Sequence, residues 1–200
     1  MITKFDYYLA ILVGFLAGVF LVPTAINLGV ANYAVLFLLP LAFPPLFAIG
    51  IWLGQFLSRW LAFMPQFSKF VAVGFSNTAI DFGILNLLSM VTQVTSGLII
   101  GGVNVPGFVV AVFNSYFWNQ FWVFKGREGN EGFLHDFPKF LAVTLVGLLI
   151  NSAIVVLATT YVDPWGGIGK EAWLNLAKVA ATAVALVWNF VGYKFLVFRK

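Results

Sequence analysis

An aspartate stands in the middle of a long apolar stretch. Asp81 follows Lys69 by twelve positions, which at ~1.5 Å of rise per residue places it about 18 Å along a helix. That is near the centre of a ~30 Å hydrocarbon core, and an aspartate is too short to reach water from there. An ionised carboxylate at that depth is costly, so Asp81 should face a wet cavity, pair with a cation, or carry a proton. Asn77 lies one turn before it and Gly74 nearly two, so the three share a helix face. The structural alternative is an interhelical hydrogen bond.

Further polar residues interrupt other apolar stretches. Asn175, Lys178, Thr182 and Asn189 are spaced by three, four and seven, a narrow stripe on one helix. Lys178 either snorkels along its own stem to the nearer interface or pairs with Asp81 or an anionic group; an ammonium suits phosphate as a point charge. Asn114 and Trp118 are one turn apart, followed by Asn119 and Trp122. Amides beside aromatic faces suit sugars, so Asn114, Asn119 and Asn189 are candidate substrate contacts, as is Asn151. Trp122 and Tyr193 read instead as aromatic belt residues at the interface.

Signatures of enzyme chemistry are missing. There is no Walker loop, G-x-G-x-x-G or H-E-x-x-H motif, and the single histidine, His135, falls in a polar loop and reads as a solvated surface residue. The expectation is a non-enzyme with no metal and no cofactor, unable by itself to drive transport with ATP.

The elements that position these residues follow from composition. Of 200 residues 62% are hydrophobic and 9% charged, and the mean hydropathy is +0.98, which a soluble domain of this size does not need. Apolar runs of about twenty residues are continuous rather than alternating, so they read as membrane-crossing helices, not barrel strands. The net charge of +4 sits at helix ends, where it reports topology, so no nucleic-acid partner is expected. Cysteine is absent, which removes disulfide and thiol chemistry. The first apolar run lacks a small-residue cleavage site and reads as a retained helix.

The runs predict helices over Phe5–Leu28, Tyr33–Leu57, Phe70–Gln93, Val105–Phe124, Phe140–Tyr161 and Trp173–Val197. With the N-terminus in the cytoplasm, Lys4, Arg59, Lys69, Lys125, Arg127, Lys139, Lys194, Arg199 and Lys200 lie inside, against Lys170 in an outer loop. Nine against one predicts cytoplasmic termini. In residues 1–65, Gly14 and Gly18 form a small-xxx-small pattern, and Pro40, Pro44 and Pro45 should kink the second helix. This hairpin reads as a packing or dimerising element.

A motif then occurs twice. Lys69-Phe70 opens a stretch closed by Phe121-Trp122-Val123-Phe124-Lys125; Lys139-Phe140 opens one closed by Phe195-Leu196-Val197-Phe198-Arg199. Each copy, 69–125 and 139–199, is long enough for two crossings. Both run in the same direction, as parallel repeats about an axis along the membrane normal. At the offset of the openings Asn151 replaces Asp81, so one carboxylate serves the pair. The fold class is an all-α integral membrane protein: six transmembrane helices, an N-terminal hairpin followed by two parallel two-helix repeats.

Residues 66–200 resemble the GtrA-like family of small four-helix membrane proteins. The resemblance rests on the Lys69-Phe70-x-x-Val73-Gly74 opening, Asn77, Asp81, the Asn119-Gln120-Phe121-Trp122-Val123-Phe124 closing, Lys139-Phe140, and Asn189-Phe190 through Arg199. Gln120 and Lys194 stand where the family tends to have arginine, and the hairpin lies outside its four-helix pattern. The resemblance implies a role with polyprenyl-phosphate-linked sugars. The expected function is flipping such a lipid, for cell-surface polysaccharide or glycan modification, through a groove lined by Asn77, Asp81, Asn114, Asn151, Lys178 and Asn189. The alternatives are a non-transporting partner that anchors or recruits a glycosyltransferase, and a proton-coupled carrier of a small solute. Expected partners are the polyprenyl-phosphate sugar lipid, a membrane glycosyltransferase and a second copy of the chain; the expected location is the cell membrane.

Overall fold

The computed structural model describes residues 2–93, 98–124, 134–164, 166 and 170–198, with backbone alone at 98–105, 151–152, 155–156, 159–160, 170–179 and 182. The secondary structure of these residues is helical: α1 Lys4–Asn27, α2 Tyr33–Leu57, α3 Met64–Thr92, α4 Leu98–Trp118, α5 Phe137–Tyr161 and α6 Lys170–Gly192. Among the described residues, α1, α2 and α3 are each long and apolar enough to cross a membrane. Large apolar side chains such as Phe37, Leu41, Val91 and Leu149 point outward, as lipid contact requires.

Helices α3 and α4 start more than a turn earlier than the hydrophobic runs suggest, and α1, α5 and α6 less than a turn earlier. α3 begins at Met64, six residues before Phe70, because Pro65 sits in its first turn, where a missing N–H is no loss. α4 begins at Leu98 rather than Val105 and carries Pro106 inside it. Where water cannot satisfy a free backbone, a single proline does not end a helix.

The chain forms two compact units, Met1–Lys125 and Gly126–Lys200. In the first, α1 packs against α2 and α3, and α3 against α4. The two glycines of α1 face the proline-bearing stretch of α2: a Cβ on Gly14 would stand 2.9 Å from the Phe43 carbonyl oxygen, and one on Gly18 2.5 Å from Pro40 Cα. The small-xxx-small pattern therefore serves packing within the hairpin. Along α3 the hairpin is fixed at three levels. Asp6 pairs with Lys69, Gly83 receives the backbone at Phe20, and Asn86 bonds Asn27 and Thr24.

The second unit is α5 against α6. Phe140 stacks on Tyr193 at 4.5 Å between ring centroids, and the Trp188 indole donates to the Val143 carbonyl at 3.0 Å.

Each unit ends in the same local device. After α4, residues Asn119–Val123 form a wider π turn, closed by the Phe124 N–H donating to Asn119 O. After α6, Tyr193–Val197 does the same, with the Phe198 N–H on Tyr193 O. Both fall on the Phe-x-Val-Phe closings, and each closing phenylalanine packs on the opening one: Phe124 on Phe70 at 6.2 Å, Phe198 on Phe140 at 6.4 Å.

Two interfacial assignments are corrected. Trp122 and Tyr193 are not belt residues; they are 1% and 3% exposed. The Trp122 indole N–H bonds Asp6, and the Tyr193 hydroxyl shares a hydrogen bond with Thr144 at 2.7 Å. A buried indole or phenol needs such a partner, and both found one inside the protein. Lys69 is buried against the same Asp6.

Candidate functional site

The antiparallel contact of α3 with α4 assembles most of the candidate residues of the first unit. Asn114 Nδ2 donates to Asn77 Oδ1 at 2.7 Å, and the Trp118 indole donates to Asn114 Oδ1 at 3.0 Å. These bonds form a short relay, indole to amide to amide, across the interface. Each donor needs its acceptor because neither lipid nor apolar side chains supply one.

One turn further along α3, Asp81 lies against Gly107 of α4. A Cβ at Gly107 would stand 2.7 Å from the Asp81 carbonyl oxygen and 2.9 Å from its Oδ1, so the missing side chain is what admits the carboxylate. Asp81 Oδ1 is sealed off and has no hydrogen-bond partner among the described residues. A buried carboxylate oxygen without a donor is an energetic anomaly that calls for an explanation in ligand, ion or proton binding.

Other candidates fall elsewhere. Asn119 is fully buried at the start of the π turn; its Nδ2 donates to the Ser115 carbonyl at 2.8 Å and to its hydroxyl at 3.3 Å, leaving Oδ1 unpartnered. No hydrogen bond among the described residues joins it to the Asn77–Asn114 relay. Asn189 belongs to the second unit, where it lies against Gly147 of α5 with Oδ1 unpartnered. The side chains of Asn151 and Lys178 lie outside the described residues, and with them the expected pairing of Lys178 with Asp81. His135 is exposed, with Nδ1 3.3 Å from Asp136 Oδ1. Among the described residues no group of three or more His, Cys, Asp or Glu side chains could hold a metal ion.

Sequence reasoning missed a buried ion pair outside this site. Asp6 and Lys69 are opposite charges near corresponding ends of neighbouring helices, a signal present in the sequence, but Lys69 read as an anchor and Asp6 drew no attention. The second unit adds an apolar groove of about 540 Å³ lined by Ile150, Ala183, Val184, Val187, Trp188 and Val191.

The chain is 27% identical over 132 residues to the uncharacterized membrane protein YngA of Bacillus subtilis (strain 168), covering 65% of this chain and 77% of that protein. No solved structure matches it. The family model described as GtrA/DPMS, transmembrane domain matches residues 69–198, from the lysine paired with Asp6 to the phenylalanine that closes the second π turn. This membrane protein belongs to the GtrA/DPMS transmembrane-domain family.

Proposed function

We propose that the protein moves a polyprenyl-phosphate-linked sugar across the cell membrane, for the building or modification of a cell-surface glycan. In this reading the chain crosses six times, as a hairpin and two parallel helix pairs, with both termini cytoplasmic, and performs no covalent chemistry. Its partners are the lipid itself, a membrane glycosyltransferase that makes or uses it, and a second copy of the chain.

The observation that carries the reading is the unpartnered Asp81 Oδ1 in the middle of α3, beside the Trp118–Asn114–Asn77 relay. Sugar hydroxyls donate and accept, so they can satisfy the carboxylate and exchange with the amides in turn. Asn189 offers a further free acceptor, and Asn119, Asn151 and Lys178 complete the polar set in this proposal. The prenyl tail needs only apolar surface. Asp81 acts by bonding hydroxyls or by releasing and taking up a proton as the headgroup passes.

Reconstitution tests this. Vesicles holding the protein should translocate a polyprenyl-phosphate sugar faster than empty ones, and Asp81→Asn should lower the rate at least about tenfold, equivalent to ~1.4 kcal/mol of lost stabilisation. Equal rates with and without protein would sink the proposal. A second reading, a static anchor for a glycosyltransferase, is favoured by the close bonding of α3 to α4, which a scaffold would also use. It requires that Asp81→Asn leave glycosyltransfer intact, that changes in the 125–139 connection abolish it, and that the enzyme co-purify.

A further inference from the structure

Three buried side chains at one end of the first unit take no part in the site above. Asp6, Lys69 and Trp122 are 2%, 7% and 1% exposed. Asp6 Oδ1 accepts from the Lys69 ammonium and, at 3.0 Å, from the Trp122 indole N–H. Its Oδ2 accepts from the Thr3 backbone N–H at 2.7 Å and from the Thr3 hydroxyl at 2.9 Å. The donors on Oδ1 and the carboxylate have different origins. Lys69 and Trp122 lie in the family-matched stretch, whereas Asp6 and Thr3 lie in the hairpin outside it. Without the carboxylate, a buried ammonium and an indole N–H would still converge on one point. A buried cation must be paired, so this end of α3 and α4 is built to hold an oxyanion. An ammonium serves phosphate as readily as carboxylate.

We infer that Lys69 and Trp122 form an oxyanion site, closed by Asp6 of the hairpin, which the phosphate of a lipid enters in competition with that carboxylate. The identity of the ligand rests on the function proposed above; the geometry does not. Asp6 sits in the first turn of α1, where helices fray most easily, and that turn is tied down by the Thr3 cap and by the Ile2 N–H on Gln55 Oε1 at 2.8 Å. Opening costs the bonds of the carboxylate, so it becomes favourable when a phosphate takes over the Lys69 and Trp122 donors. From Lys69 the same helix leads by way of Asn77 to Asp81, about 18 Å at ~1.5 Å per residue. Lys139, the counterpart of Lys69 in the second repeat, is exposed and lies 3.7 Å from Asp136 of its own segment, so it needs no such closure. The carboxylate sets a threshold: a site open in a fraction of molecules binds with its affinity reduced by that fraction.

The test uses the full-length protein in detergent, with native mass spectrometry and thermal unfolding as readouts. The probe is a polyprenyl monophosphate, and the phosphate-free polyprenol is its control. Asp6→Asn should bind the monophosphate about tenfold more tightly than the parent, as expected for a site otherwise open in about a tenth of molecules. Polyprenol binding should not change, and the gain should vanish in Asp6→Asn/Lys69→Gln. An equal gain for phosphatidylglycerol supports the site and identifies phosphate as the recognised group. A lowered unfolding temperature with unchanged monophosphate affinity makes the pair a structural latch and overturns the inference. Should Asp6→Asn not fold, Thr3→Val loosens the cap without touching Lys69 or Trp122 and should give a smaller gain; no gain overturns the inference equally. Tighter monophosphate binding without translocation would defeat the flippase reading alone, and translocation without the binding gain would defeat this one alone.

Discussion

At the scale of single residues, the candidate site combines amides that bond each other with a carboxylate whose Oδ1 has no partner among the described residues. Asn77 and Asn114 bond across α3 and α4, so removing Asn77 costs Asn114 Nδ2 its acceptor, and removing Asn114 costs Asn77 Oδ1 its donor and the Trp118 indole its acceptor. Such interhelical bonds average about 0.6 kcal/mol and reach about 1.7 in membranes, because the unfolded chain also finds partners there. A double-mutant cycle of Asn77→Leu and Asn114→Leu, read by unfolding in mild denaturing detergent, should give a coupling in that range. A coupling of zero would show that the bond contributes nothing to stability. The Asp81–Gly107 contact is of the opposite kind, since Oδ1 has no donor among the described residues, so under the proposed function Asp81→Asn should lower transport far more than stability. Asp81, Asn77 and Asn114 were legible in the sequence because polar residues are conspicuous in apolar runs. Their partners were not: Gly107 carries no side chain to notice, and the pairing of Asn77 with Asn114 is set by the register of two helices that no local pattern specifies.

At the scale of elements, the closing motifs explain why aromatic residues that looked interfacial are buried. A π turn holds one more residue than an α turn over the same rise, so it rotates everything after it relative to a regular helix. In the first unit this shift accompanies the placement of Trp122 on Asp6 and of Phe124 on Phe70. Deleting Gln120 should return Asn119–Val123 to α geometry and leave Trp122 on Asp6, because the wider turn absorbs one residue, so the unfolding temperature should change little. Inserting an alanine after Gln120 adds a residue the turn does not absorb and should turn Trp122 off Asp6 by about 100°, lowering the unfolding temperature by about 2–4 °C, as a loss of about 1 kcal/mol implies for a chain of this size. Equal temperatures for the deletion and the insertion would mean that the π turn is not what orients Trp122. The repeated Phe-x-Val-Phe letters were plain in the sequence, but a π turn has no composition of its own, so its presence at both closings came only with the structure. The hairpin was similarly half legible. Gly14 and Gly18 announced close packing, and the structure named the surface they meet, the stretch of α2 around Pro40 and Phe43.

At the scale of the whole molecule, the charges of the chain make a statement about topology that can be checked directly. Lys69 is paired with Asp6, but the rule that orients helices counts lysine and arginine near the span ends and gives acidic residues little weight, so the nine inner basic residues still stand against Lys170. The same rule ties orientation to the number of crossings. If α1 enters from the cytoplasm, six crossings put the 28–32 and 162–169 connections outside and the 58–63 and 125–136 connections inside. A polypeptide with no cysteine is ready-made for mapping this, because each engineered thiol is the only one present. Ala31→Cys and Asp163→Cys should react with a membrane-impermeant maleimide in intact cells; Leu61→Cys and Asn130→Cys should react only after the membrane is opened. The reverse pattern would overturn the cytoplasmic termini but keep the six crossings. Labelling of positions 130 and 163 from the same side would remove α5 as a crossing. The two repeats would then no longer run parallel, and the second unit would have no part in a path across the membrane.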